Sequence, residues 1–216
     1  MRYEDWCIHF NKMYLTKIFP QAWTQFSITS EWRGNTSGGA YPVQADRDEE
    51  NKEAHVKLDT NDRWFNNPQF RISVTKKTQL IISLMQEDEK ISKRPYIPVN
   101  FMVVRVKSRR DRLWEVDRDD IVLQAAEGGQ RFEQREVTKT TWLSPIHDKK
   151  NVHYIIVPNT EVENKNEQER PFFLRIFASE QIEVVQLPNT IEQQFAGKWI
   201  QATAGGKRVL ENGKEN

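Results

Sequence analysis

The sequence predicts an all-β fold, an antiparallel sandwich of about eight strands. Three observations predict it. Phe70, Ile72 and Val74 alternate with Arg71, Ser73 and Thr75, the period-two signature of a strand with one buried face. Short apolar runs rich in β-branched residues recur along the chain, and turn-forming residues separate them. No helical stripe of useful length lies between Trp23 and Leu187. Strands without intervening helices pack as antiparallel sheets rather than as a parallel α/β sheet.

Taken in order, Glu4 and Asp5 precede Trp6, Ile8 and Phe10, which suits the acidic start of a short helix. Met13, Leu15 and Ile18 suit an extended arm that Pro20 closes. Trp32 reads as a core anchor at a strand end, and Gly38-Gly39 as a positive-φ turn or a close backbone approach. Asp46–Glu53 and Glu161–Arg170 are too polar to bury and read as solvated. The strand runs are Leu80–Met85, Phe101–Val106, Ile121–Leu123, Thr138–Leu143, Tyr154–Val157 and Phe172–Phe177. Turn chemistry falls between them at Asn66-Asn67-Pro68, Arg94-Pro95, Gly128-Gly129, Pro145, Pro158-Asn159 and Arg170-Pro171. Trp32-x-x-x-Thr36-x-Gly38-Gly39 then recurs as Trp199-x-x-x-Thr203-x-Gly205-Gly206. So long a step is a domain rather than a solenoid unit. A second copy is therefore expected from about Pro188, with Ala204–Asn216 either poorly ordered or paired to an edge of the first domain.

Composition narrows the function. Hydrophobic residues are 37% and charged residues 29%, but Trp 7, Phe 11 and Tyr 5 supply a core. A net charge of +1 gives no field to steer the chain onto nucleic acid, so none is expected as a partner. The one cysteine, Cys7, excludes a disulfide framework and a Cys-based zinc site. No apolar run approaches a membrane span, and Met1–Asp5 does not resemble a signal peptide, so the expected location is cytoplasmic.

Each candidate site of chemistry has a plainer reading. Cys7 and His9, two residues apart, point about 200° away from each other on a helix and cannot form a local nucleophile–base pair there. Cys7 reads as a small buried hydrophobe. Gly205-Gly206-Lys207 lacks both the earlier glycine and the following Ser or Thr of a phosphate loop. The carboxylates of Asp46–Glu50 lack the glycine and spaced ligands of an EF-hand, which favours a solvated insertion over a metal site. Arg105, Lys107, Arg109, Arg110 and Arg112 form a basic cluster. On a strand, Arg105, Lys107 and Arg109 share a face suited to anionic lipid or an acidic partner. A solvated edge that discourages sheet pairing is the preferred reading of that cluster.

Glu31–Gly39, followed by Trp64-Phe65-Asn66-Asn67-Pro68-Gln69-Phe70, resembles the opening of calpain domain III, a C2-like sandwich behind a protease core. Trp32, Thr36, Gly38, Gly39, Trp64, Asn67 and Pro68 carry that motif. Leu80–Gln86, Phe132–Val137, Tyr154–Asn159 and Phe172–Glu180 also resemble family segments. Residues 1–19 resemble the end of the protease core and residues 188–216 the start of a second sandwich, which leaves 20–187 as the domain itself. The resemblance implies a non-catalytic regulatory or scaffolding module of a calpain-type cysteine endopeptidase. Its partners would be the protease core and a second sandwich in the same chain. It implies no cofactor here, and calcium as an ion of the full-length protein. The family's catalytic residues would all lie before Met1. An adaptor that binds protein or anionic phospholipid at the membrane periphery, from a homologue without protease activity, is the alternative. Typical members carry a long acidic loop where this chain has the short basic Thr75-Lys76-Lys77-Thr78, so an acidic-loop switch is not expected.

Overall fold

Alternating burial and repeated crossings between two sheets define the fold in a computed structural model, which describes residues 2–10, 18–41, 63–106, 112–125, 134–145, 153–160, 169–189 and 197–198. Met13, Leu15, Asp46–Glu53, Gly128-Gly129, residues 161–168 and the second Trp-Thr-Gly-Gly copy from Trp199 lie outside the described residues.

Among the described residues nine strands form two antiparallel sheets. The four-stranded sheet runs β1 (Thr24–Trp32), β8 (Arg170–Ala178), β3 (Thr78–Gln86), β6 (Glu136–Leu143). The five-stranded sheet runs β5 (Ile121–Gln124), β4 (Val99–Val106), β7 (His153–Thr160), β2 (Phe70–Val74), β9 (Ile182–Gln186). The strand β9 lies beyond the last run read from the sequence. Among the described residues the α-helices are α1 (Tyr3–His9) and α2 (Glu89–Ser92), too short to cross a membrane.

Side-chain alternation works as expected on β8 and β6, whereas β3 is buried throughout Leu80–Leu84. On β8, Phe172, Leu174 and Ile176 are fully buried between the sheets while Arg175 is exposed. Each such burial stabilises by about 1.5–3 kcal/mol. On β6, Val137 and Leu143 face the core, whereas Trp142 faces outward beneath the Lys77 ammonium, 5.4 Å from the ring centroid. Alternation stops at β7, which is buried along its whole length. Tyr154 and Ile156 enter the core between the sheets. Ile155 and Val157 enter a second cluster with Met102, Trp64, Leu113 and Leu187. The outer face of the five-stranded sheet thus has its own cover, which explains the unbroken apolar runs in Phe101–Val106 and Tyr154–Val157.

Sequence neighbours cross between sheets. Thr75–Lys77 lead from β2 to β3, and α2 lies on the way back to β4. The acidic first turn of α1 forms as expected, with the Arg2 N–H donating to the Asp5 carboxylate at 3.2 Å. No residue of α1 is buried. Phe19, after the helix, stacks on Phe177 of β8 with ring centroids 4.0 Å apart.

Candidate functional site

Of the motif residues, Trp64 belongs to the cover of the five-stranded sheet and Trp32 to the core between the sheets. Trp32 ends β1, and its indole N–H donates 3.3 Å to the carbonyl of Pro158 on β7, joining the two sheets. Its ring lies 4.4 Å from that of Phe172. The Thr36 hydroxyl accepts the Arg33 N–H at 3.0 Å and closes the turn Gly34–Thr36. Gly38 and Gly39 then do different things. A Cβ on Gly38 would overlap the carbonyl oxygen of Arg63. Gly39 adopts a φ of 77°, a region that L side chains avoid.

Asn67 locks this turn to the segment containing Trp64. Its Oδ1 accepts the Gly38 N–H at 3.1 Å, and its Nδ2 donates to the carbonyls of Gly39 and Trp64, each at 2.7 Å. Pro68 disfavours helical geometry at Asn67, which is extended, with ψ at 153°. Two residues on, the Gln69 amide imitates a strand partner for Leu113. Nε2 donates to the Leu113 carbonyl at 3.0 Å and Oε1 accepts its N–H at 2.8 Å. Gln86 repeats the device on Ile97, donating at 2.7 Å and accepting at 3.1 Å.

Arg112 corrects the sequence reading. The sequence groups it with a solvated basic edge, but it is only 6% exposed. Its Nη2 donates to the carbonyls of Phe65 (2.7 Å) and Asn67 (2.6 Å), and its Nη1 to that of Pro188 (2.7 Å). Three carbonyl dipoles offset the loss of hydration, although burial still lowers its pKa. Composition placed it in a charge run; the apolar Leu113-Trp114 that follows was the signal of a different environment.

The remaining basic candidates separate. Arg105 on β4 pairs with Asp120, Nη2 to Oδ1 at 3.1 Å, and also donates to the Asp119 carbonyl at 3.3 Å. Lys107, Arg109 and Arg110 lie outside the described residues. Cys7, expected as a buried hydrophobe, is exposed, because α1 buries nothing. Among the described residues no group of three or more His, Cys, Asp or Glu could hold a metal ion. Sequence reading missed a second basic feature. Arg94-Pro95 and Arg170-Pro171, turn signals by sequence, meet beside Trp32 and line one recess.

Comparison with known proteins gives two matches. The family described as calpain large subunit, domain III, matches residues 29–177. The chain is also 26% identical over 187 residues to a Dictyostelium discoideum protein named serine/threonine-protein kinase 4 homolog B. That alignment covers 84% of this chain and 14% of the relative.

Proposed function

Given that the chain belongs to the calpain large subunit, domain III family, we propose that it is the regulatory and scaffolding module of an intracellular calpain-type cysteine endopeptidase. The observation that carries this reading is the coincidence of the family match with the interlock of Trp32, Gly38, Gly39 and Asn67. Those residues are spent on holding segments together, which is scaffold chemistry. Cys7 and His9 sit on a seven-residue helix that buries nothing, which supports a chain without its own nucleophile. In this reading residues 1–19 close a protease core, residues 188–216 open a second sandwich, and calcium acts on the full-length protein. The purified chain should leave casein uncut. Cleavage that Cys7→Ala abolishes would overturn the reading.

The second reading is a protein- or phospholipid-binding adaptor without a working protease. The Dictyostelium relative favours it: a similar segment occupies 14% of a protein named for a kinase, so the sandwich is portable. The coding sequence upstream of Met1 decides. A Cys-Trp nucleophile with downstream His and Asn supports the protease, and substitutions there support the adaptor. Co-sedimentation with anionic vesicles, with and without calcium, tests the lipid branch. Charge reversal at Arg105, Lys107 and Arg109 should abolish any binding seen.

A further inference from the structure

Two Arg-Pro pairs from distant parts of the chain share one recess at the end of the sandwich. Proline restrains the arginine before it to extended backbone. On one side, α2 ends in a left-handed residue, Lys93 with φ 57°, which turns the chain toward Arg94. On the other, Arg170 opens β8 opposite Trp32 in register. Trp32, Ile97, Pro95 and Pro171 give the recess an apolar part of its lining beside Arg94 and Arg170.

The two cations have no acidic partner among the described residues. Arg94 Nη1 donates to the Glu169 carbonyl at 2.8 Å and Arg170 Nη1 to the Pro95 carbonyl at 3.5 Å. Two nearby carboxylates are engaged elsewhere: Glu169 pairs with Arg33, and Glu89 accepts the Tyr96 N–H. Glu87 is the acidic residue among those that line the recess. Burial, and after it the charge of Arg94, lower the pKa of Arg170, which places the two cations close together.

We infer that this recess receives a carboxylate side chain from an acidic peptide segment of a partner protein, gripped between Arg94 and Arg170. A planar carboxylate matches the guanidinium fork with two parallel hydrogen bonds. The apolar lining suits the methylenes of a glutamate. A half-buried Arg170 set in a concavity is reached by one side chain more readily than by a flat bilayer. The membrane alternative would instead meet Ile91, which is 71% exposed on α2 beside Lys90 and Lys93. The inference stands whether or not the parent protein is a protease.

The test uses the full chain and fluorescein-labelled hexaglutamate, followed by anisotropy at low salt. Saturable binding is expected, weakened about tenfold or more in R94Q/R170Q. R94K/R170K should recover part of it, since lysine keeps the charge and loses the fork. Circular dichroism checks folding; if the double variant does not fold, Arg94→Gln alone, at an exposed side chain, should still weaken binding. Failure of hexaglutamate to bind, or binding unchanged in R94Q/R170Q, would overturn the inference. So would competition by inorganic phosphate as effective as that by unlabelled hexaglutamate, which would mark a plain anion site. Arginine-dependent binding to phosphatidylserine vesicles without peptide binding would transfer the surface to membranes.

Discussion

Asn67 serves three backbone groups with one amide, so Asn67→Ala removes three side-chain hydrogen bonds from a buried site, although the Trp64 carbonyl keeps the Asn67 N–H at 3.2 Å. Unfolding free energy is expected to fall by about 2–4 kcal/mol, read by urea denaturation followed by tryptophan fluorescence. Gly38→Ala should cost about 1–3 kcal/mol because the carbonyl of Arg63 must move. Lys93→Gly should do the reverse and add about 0.5–1 kcal/mol, since glycine adopts its φ of 57° without strain. Tyr41 sets an alkaline limit. Burial, its largest influence, raises its pKa above 10.0, so the fold holds the phenol neutral. Stability from this group is complete below pH 10 and is lost as pH climbs from there through the raised value. Tyr41→Phe should flatten that alkaline decline in pH-dependent melts. At this scale the sequence showed which residues are unusual but not what they hold. Asn67 was legible as part of a turn before Pro68; its grip on Gly38 and Gly39 was not, because that contact spans a long separation in the chain. Arg112 was misjudged because a charge run looks the same whether its last member is wet or buried.

Among the elements, strands were the most legible part of the molecule, since alternation at Phe70, Ile72 and Val74 and the run Phe172–Phe177 needed no partner to be recognised. Period two also carried its own warning: Tyr154–Val157 does not alternate, and β7 proved to be covered on both faces. The cover itself could not be read, because it consists of irregular segments held by side-chain amides rather than by strand ladders. The helix α1 was legible from its acidic first turn, yet its isolation was not. Because α1 buries no residue, removing residues 1–10 should leave the melting temperature unchanged within about 1 °C. A larger drop would show that the helix packs on the sandwich. By contrast, Ile155→Ser on β7 should destabilise by more than about 3 kcal/mol, whereas Arg175→Ser on exposed β8 surface should stay within about 0.5 kcal/mol.

For the molecule as a whole, the clamp reaches beyond the last strand. Arg112 is bonded to the Pro188 carbonyl, and the Leu187 N–H donates 2.9 Å to the Gln69 carbonyl. A chain ending at Gln186 keeps every described strand but loses both ties and the buried Leu187 side chain. It should melt about 5–10 °C below one ending at residue 189, by scanning calorimetry. The order β1-β8-β3-β6 has a further consequence. Within the sandwich, β1, the first of the described strands, has its partner in the next-to-last, and β3 waits for the same strand on its other side. A nascent chain therefore emerges with β1 and one side of β3 unpaired until β8 is synthesised, exposing strand edges to neighbouring polypeptides. Chaperone dependence during translation should accordingly fall away only once Arg170–Ala178 has cleared the exit tunnel.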